Sequence, residues 1–134
     1  MTRPVFGITG WKNSGKTGLV ERLVAELVRR GYRVSTVKHA HHHFDIDQPG
    51  TDSFRHREAG AAEVAIVSDN RYAIMHELRV ENEPTLEAIL ARLAPCDIVL
   101  VEGYKREAHR KIETRRLDAK DRRPLTSADP TIVA

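Results

Sequence analysis

One segment of the sequence constrains the fold more than any other. Residues 10–17, Gly-Trp-Lys-Asn-Ser-Gly-Lys-Thr, match the pattern GxxxxGK[ST] in full. The segment follows a short apolar run, residues 4–9, that is typical of a buried parallel strand, and it precedes a stretch with helical periodicity. A strand, a glycine-rich turn and a helix in this order predict a phosphate-binding loop, because several backbone N–H groups and the positive end of the helix dipole converge on one anion.

The stretch after this loop predicts an amphipathic helix of about four turns that ends at Gly31. Six apolar residues form one wide apolar stripe, namely Leu19, Val20, Leu23, Val24, Leu27 and Val28. Residues 33–38 are rich in β-branched side chains, so the first forty residues predict a right-handed βαβ unit. Further along, the patterns predict helices at residues 52–59 and 86–93, and strands at residues 62–68, 72–77, 97–102, 111–115 and from 131 onward. We therefore expect an α/β fold with a mostly parallel central sheet, and a hairpin turn or short connection at residues 69–71.

Composition excludes several classes of protein. The single cysteine, Cys96, excludes a disulfide within the chain, and there is no CxxC pair of the kind that holds structural zinc. Lys and Arg total 22 against 19 acidic residues, and the net charge of +3 favours phosphate-bearing ligands without requiring nucleic acid. The longest apolar runs are too short to span a bilayer, and the N-terminus lacks the apolar core of a secretory signal. We expect a soluble cytoplasmic protein whose partners include neither nucleic acid nor a membrane.

The residue types in and around the loop indicate how a nucleotide and Mg²⁺ would be held. The ammonium of Lys16 suits the β and γ phosphates, Lys12 adds a second cation, and the hydroxyl of Thr17 suits Mg²⁺. Such a loop needs a carboxylate at the end of a neighbouring strand, and Glu102 is placed for this role after the apolar residues 98–101. Asp97, at the other end of the same strand, is interpreted as structural.

A histidine-rich loop follows the second predicted strand. Residues 39–47 hold four imidazoles, including the run His41 to His43, and two carboxylates, Asp45 and Asp47. Imidazole and carboxylate suit zinc, nickel or iron, but three adjacent histidines cannot all face one ion without a contorted backbone. The pattern favours a solvated loop that contacts nucleotide or a partner. Asp45 and Asp47 share a face of an extended chain, so either is a candidate for Mg²⁺ or its waters.

Five ordered motifs together resemble the MobB family, the molybdopterin-guanine dinucleotide biosynthesis adaptor proteins. The motifs are residues 10–17, residues 37–47 (Val-Lys-His-Ala-His-His-His-Phe-Asp-Ile-Asp), residues 49–53 (Pro-Gly-Thr-Asp-Ser), residues 57–61 (Arg-Glu-Ala-Gly-Ala) and residues 101–105 (Val-Glu-Gly-Tyr-Lys). The similarity runs from about Val5 to Ala134. It implies a P-loop NTPase-like three-layer fold, with residues 1–134 forming a single nucleotide-binding domain and the phosphate loop lying between the first strand and the first helix.

The resemblance also implies a function and a set of site residues. It implies a GTP-binding accessory protein, a homodimer, that assists the molybdenum cofactor guanylyltransferase (MobA-type) in forming molybdopterin guanine dinucleotide, with molybdopterin as a further candidate ligand. The implied nucleotide contacts are Gly10, Lys12, Asn13, Ser14, Gly15, Lys16, Thr17 and Gly103, with Arg71 as a candidate for a nucleotide or pterin phosphate. Thr17 and Glu102 are the implied Mg²⁺ ligands.

The sequence departs from the family pattern at its C-terminal end. Family members continue past the strand that begins at Ile132 into a segment expected to help recognise guanine, whereas this sequence ends at Ala134. We expect either a truncated or split version or an incomplete sequence, so base selectivity is undecided. No strong general base or water-positioning Gln stands near the loop, so hydrolysis should be weak at most.

Two alternative functions stay open. The first is a metallochaperone GTPase that uses the histidines of residues 39–43. The second is a small-molecule kinase in which the arginine pairs at residues 115–116 and 122–123 clamp phosphates. Arg55 and Arg57 are further candidates for a phosphate-rich ligand, and His56 between them is interpreted as part of a polar helix surface.

Overall fold

The computed structural model describes residues 3–10, 15–40, 47, 49–104, 107–114 and 130–133 of the chain. The chain divides into two compact units, one formed by residues 1–41 and 86–134 and the other by residues 42–85. In chain order the described elements are β1 (Val5–Thr9), α1 (Lys16–Arg29), β2 (Val34–Lys38), α2 (Asp52–Glu58), β3 (Glu63–Val67), β4 (Tyr72–His76), α3 (Leu86–Arg92), β5 (Ile98–Glu102) and β6 (Arg110–Glu113).

The first unit is built on a parallel sheet whose described strands have the order β2-β5-β1-β6. β5 lies in the middle, with Lys38 of β2 opposite Glu102 on one side and Ile8 of β1 opposite Glu102 on the other. This arrangement confirms the expected parallel sheet. Because the strands are parallel, the carboxyl ends of β1, β2 and β5 meet at one edge, beside the predicted phosphate loop.

Helices cover both faces of this sheet. One face carries a buried cluster, which consists of Val37, Leu86, Val99 and Val101, with Ile89, Leu90 and Leu93 packed against it. Leu86 is the first residue of α3, so α3 covers this face. The helix α1 contacts β1, β2 and β5 but contributes no side chain to that cluster, and it therefore packs on the opposite face, where Ile8 and Leu100 are buried. The helix–sheet–helix arrangement confirms the expected three layers.

The boundaries of α1 confirm the sequence prediction, but its apolar stripe is only half-buried in five of the six residues and is exposed at Val28. The helix ends at Arg29, and Gly31 follows in the left-handed conformation with φ 91°. Val28 is 56% exposed. At about 100° per residue the six apolar positions span half of the helix circumference, and Val28 lies at the edge of that arc, where the sheet no longer covers it.

A buried lysine connects β6 to two neighbouring segments. Lys111 is fully buried, and its ammonium donates hydrogen bonds to the carbonyl oxygens of Glu107 and His109 and to Oγ1 of Thr131. A buried ammonium is tolerated when its N–H groups are satisfied in this way. The strand expected at residues 111–115 is observed as Arg110–Glu113, and the strand expected from residue 131 is observed as a parallel bridge between Lys111 and Ile132.

The second unit packs α2 against the antiparallel hairpin of β3 and β4. The turn is closed by a hydrogen bond from the backbone N–H of Ser68 to the carbonyl oxygen of Arg71 (2.9 Å), which confirms the predicted hairpin. Val64 is buried on one face of the hairpin. On the other face Val67, Tyr72 and Ile74 are 74%, 73% and 57% exposed.

The length and composition of the described helices can be compared with those of a membrane-spanning helix. Across the part of the chain that the structure describes, no helix combines the length and the apolar character required to traverse a bilayer. The prediction that residues 1–134 form one nucleotide-binding domain stays a prediction.

Candidate functional site

The predicted phosphate loop is the connection between β1 and α1. Gly10 is buried directly after β1, and Gly15 is the N-cap residue of α1 with φ 96°, a conformation that glycine adopts without steric cost. Gly15 provides no side-chain cap, so the first turn of α1 presents backbone N–H groups and its positive dipole end toward the loop. Residues 11–14 lie outside the described residues, so the contacts expected of Lys12, Asn13 and Ser14 stay predictions.

The side chain of Lys16 extends back along this loop. Its Nζ donates a hydrogen bond of 2.8 Å to the carbonyl oxygen of Gly10, the first residue of the segment. The ammonium therefore lies at the end of β1, next to the first residue of the predicted loop. The phosphate contact expected of Lys16 stays a prediction.

Thr17 and Glu102 lie in contact although 85 residues separate them in the sequence. The hydroxyl of Thr17 donates to Oε1 of Glu102 at 3.0 Å. Mg²⁺ prefers octahedral oxygen ligands at about 2.0–2.1 Å, for which two adjacent ligands lie about 3 Å apart. The two oxygens therefore fit a Mg²⁺ ion that takes its remaining ligands from phosphate and water.

Other predicted site residues near this edge have the following positions. Asp97 accepts a hydrogen bond of 2.7 Å from the backbone N–H of Arg33 through Oδ2, which confirms its structural interpretation. Gly103 is buried directly after β5, and its role as a nucleotide contact stays a prediction. Arg71 is exposed in the β3–β4 turn of the second unit, and its phosphate contact stays a prediction.

The histidine-rich loop is only partly described. Residues 41–46 lie outside the described residues, and with them the histidine run and Asp45. Among the side chains that the structure does describe, no three His, Cys, Asp or Glu residues are grouped in a way that could hold a metal ion. The metallochaperone alternative therefore stays open.

Asp47 and Arg57 form an ion pair inside the second unit. Arg57 donates to both carboxylate oxygens of Asp47 (2.7 and 3.3 Å) and to Oε1 of Glu77 (3.1 Å), and the Asp47 and Arg57 side chains are only 4% and 13% exposed. The hydrogen bonds from Arg57 lower the pKa of Asp47, and a hydrogen bond from Ser53 adds to this against the opposing effect of burial. Asp47 was expected as a candidate for Mg²⁺ or its waters, and Arg57 as a candidate for a phosphate-rich ligand. The structure corrects both expectations, because the two side chains bind each other.

Replacing Arg57 by alanine is expected to destabilise the chain, because it leaves the carboxylate of Asp47 buried and unpaired. We expect the melting temperature at pH 7 to fall on the order of 5 °C. Since Arg57 lowers the pKa of Asp47, the stabilisation is fully present above the ordinary value of 3.8 and is lost as the pH falls through the lower folded value. Thermal unfolding at pH 7 and pH 3 should show a difference that shrinks in acid. Arg55→Ala, an exposed arginine of the same helix, is the control; an equal loss in both variants would contradict the assignment.

Sequence reasoning missed a ring contact at the end of β5. The rings of His39 and Tyr104 have centroids 4.6 Å apart, and Tyr104 has φ 53°, a left-handed conformation that is rare for an aromatic residue. Holding a residue there costs about 1–3 kcal/mol, and such residues concentrate at functional sites. The signal in the sequence was the placement of Gly103 and Tyr104 directly after the strand-end acid, but it does not reveal that the chain turns back onto His39.

The fold and the site define a class of protein. A parallel sheet, a glycine loop between its first strand and first helix, and a lysine, a threonine and a strand-end glutamate gathered at that loop are the features of a P-loop NTPase-like α/β protein. Comparison with known protein families identifies the family within this class. The model of the family described as MobB, molybdopterin guanine dinucleotide synthesis protein B, matches residues 5–134, and the chain belongs to this family.

Individual relatives agree with this assignment. The chain is 41% identical to the molybdopterin-guanine dinucleotide biosynthesis adapter protein of Haemophilus influenzae, covering 98% of this chain and 72% of the relative. It is 40% identical to the Escherichia coli protein of the same name, covering 81% and 63%. A crystal structure of a MobB homologue from Bacillus stearothermophilus is 36% identical, with a TM-score of 0.62 over 84% of this chain and 63% of that one. The chain therefore spans roughly two thirds of the length of these relatives.

Proposed function

We propose that this chain is a cytoplasmic GTP-binding accessory protein of molybdenum cofactor biosynthesis, which assists the MobA-type guanylyltransferase in forming molybdopterin guanine dinucleotide. The observation that carries the proposal is the contact between Thr17 and Glu102 at the first turn of α1, where Lys16 reaches back to Gly10. The names of the Haemophilus influenzae and Escherichia coli relatives support the pathway. The alternatives of metallochaperone and small-molecule kinase lack a comparable supporting observation in the described residues.

In this proposal the loop binds the phosphates of GTP, and Thr17 and Glu102 hold Mg²⁺. The ion, when bound, would neutralise charge on the β- and γ-phosphate oxygens. The proposed nucleotide contacts are Gly10, Lys12, Asn13, Ser14, Gly15, Lys16, Thr17 and Gly103, and Arg71 is the proposed contact for a nucleotide or molybdopterin phosphate. Glu102 is engaged with Thr17 and would be engaged with the ion, which makes it unsuited to activate water, so we propose slow hydrolysis at most.

Calorimetric titration and co-purification together test the function. We expect GTP with Mg²⁺ to bind at one site per chain, and the guanylyltransferase to co-purify with the unmodified chain but not with Lys16→Ala. Zn²⁺ binding that is stoichiometric, and that is lost when His41 to His43 are replaced by alanine, would instead favour the metallochaperone. Phosphate transfer from ATP to a small acceptor would favour the kinase.

We also propose that two copies of the chain associate through the exposed face of the β3–β4 hairpin. Apart from the paired Glu63 and His76 at one end of the exposed face, both faces of this hairpin are apolar. This pattern is typical of strands that are covered on both sides, and a two-stranded sheet is marginal without such cover. A second copy can offer the same face in a two-fold arrangement. The exposed face is formed mainly by Val67, Tyr72 and Ile74.

The mass in solution checks this association. Light scattering after gel filtration is expected to give the mass of two chains for the unmodified protein and of one chain for Ile74→Ser. The serine hydroxyl in the centre of the face would oppose burial of that face between two copies. Tyr32→Ser is the matched control, since Tyr32 is 51% exposed in the first unit. A dimer that persists in Ile74→Ser, or a single-chain mass for the unmodified protein, would exclude this interface.

A further inference from the structure

The strand ends next to the proposed Mg²⁺ site remain joined one residue beyond the sheet. Lys38 and Glu102 are the last residues of β2 and β5 and lie opposite each other. The next residue of β2, His39, donates its backbone N–H to the carbonyl oxygen of Glu102 at 2.9 Å. The peptide group that follows Glu102 is therefore held by the residue from which the histidine-rich loop begins.

The two residues after Glu102 turn the chain back toward His39. Gly103 has φ 94°, and a Cβ at this position would lie 3.0 Å from the Cβ of His39, so the close approach requires glycine. Tyr104 then adopts φ 53°, which carries its ring to within 4.6 Å of the imidazole of His39. Tyr104 also packs against the buried cluster that contains Val37 and Val101.

The ring contact and the Glu102 carboxylate lie on opposite faces of the sheet. Side chains alternate along β5, so Val101 points toward α3 and Glu102 points the other way, where its carboxylate meets Thr17 on α1. A contact on the α3 side therefore fixes the backbone on both sides of Glu102 without occupying the space around the carboxylate. Relaxation of Tyr104 out of its left-handed conformation would rotate this strand end and move the carboxylate away from Thr17.

We propose that His39 and Tyr104 are positioning residues that hold the Glu102 carboxylate in the geometry required for Mg²⁺. The inference rests on the proposed function, since it assumes that Glu102 serves a GTP-bound ion. It explains why a left-handed aromatic residue stands directly after the strand-end acid, where an ordinary turn would end the strand without strain. It also assigns a role to the segment of residues 101–105 beyond its glutamate.

Titration of GTP in the presence of Mg²⁺ and in the presence of EDTA tests the proposal. For Tyr104→Ala we expect the Mg²⁺-dependent gain in GTP affinity to fall about tenfold, the lower end of the effect of losing a residue that orients a metal ligand, with the affinity in EDTA unchanged. Tyr104→Phe should keep the gain because it keeps the ring, and His39→Ala should lose it. Tyr32→Ala is the control and should behave as the unmodified chain, because Tyr32 is exposed and follows the end of α1 that is opposite to the phosphate loop.

Two further measurements separate positioning from a structural role and from failure of the proposed function. In a Glu102→Gln background, Tyr104→Ala should cause no additional loss if it acts through that carboxylate, because the two changes then act on one interaction. Equal losses with Mg²⁺ and EDTA, or additive losses in the double variant, would overturn the proposal. If the unmodified chain binds no GTP, the proposed function fails. In that case the ¹³C chemical shift of the Glu102 carboxyl carbon tests the positioning role by itself. A signal that Tyr104→Ala leaves unchanged would exclude the positioning role as well.

Discussion

Replacing Lys16 by alanine is expected to weaken GTP binding roughly 300-fold while leaving the fold intact. Truncating one partner of a close charged hydrogen-bonded pair costs about 2–5 kcal/mol, which corresponds to roughly 30- to 5000-fold in affinity. The lysine is suited to this role because its Nζ already lies beside the loop, 2.8 Å from the carbonyl oxygen of Gly10. Because the lost interaction is with phosphate, the affinity should fall by a similar factor with Mg²⁺ and with EDTA.

Calorimetry or displacement of a fluorescent GTP analogue would measure the loss from Lys16→Ala. Arg22→Ala on the same helix is the matched control, since Arg22 is exposed and its side chain donates to the carbonyl oxygen of Gly18 on its own helix. The melting temperature of Lys16→Ala should stay close to that of the unmodified chain. GTP affinity that is unchanged in Lys16→Ala would refute the assignment of the phosphate loop.

Replacing Glu102 by glutamine is expected to abolish most of the benefit of Mg²⁺. Loss of a residue that only orients a metal ligand costs about 10- to 100-fold in metal affinity, so loss of the ligand's own charge should reach the upper end, about 100-fold. Affinity in EDTA should change little, because the amide oxygen can still accept the hydrogen bond from Thr17 that the carboxylate accepts at 3.0 Å. Lys16→Ala should therefore lower GTP affinity with Mg²⁺ and with EDTA alike, whereas Glu102→Gln should lower it mainly with Mg²⁺.

The measurement for Glu102→Gln is the ratio of GTP affinities with Mg²⁺ and with EDTA. Glu87→Gln, an exposed glutamate in the first turn of α3, is a control for loss of one negative charge from the same unit. Equal losses under both conditions would show that Glu102 supports the loop and not the ion. No loss at all would exclude Glu102 as a ligand.

Local patterns predicted most of the secondary structure. The apolar run after Pro4, the β-branched run before Lys38 and the segment ending at Glu102 are all strands. The first and third are short continuous apolar runs, which are typical of strands buried in a parallel sheet, and the second is rich in the β-branched residues that favour strands. The turn at residues 69–71 is a hairpin turn in which Ser68 bonds to Arg71, and Gly31 ends α1. These features depend on residues a few positions apart, which is why the sequence alone was sufficient.

Side-chain partners were predicted less well. Asp47 and Arg57 carry the chemistry of a metal ligand and a phosphate ligand, yet their mutual contacts satisfy both groups. The chemistry of a side chain limits the kinds of group that it can bind. Its position in the folded chain decides which of those groups it actually contacts. The same reason explains why nothing in the sequence indicated that Lys111 is buried with its ammonium satisfied by Thr131.

The phosphate loop and the family were thus already present in the linear order of residues, because glycine, lysine and threonine at fixed spacing act through the backbone that immediately surrounds them. The sequence named Thr17 and Glu102 as joint candidates for Mg²⁺, but only the tertiary structure shows that their side chains are in contact, and it alone revealed the contact of His39 with Tyr104. Strand order places β5 between β1 and β2, and only that arrangement brings an acid 85 residues away to the first turn of α1. Contacts of this kind depend on which strands become neighbours, a property of the whole sheet that no local pattern contains.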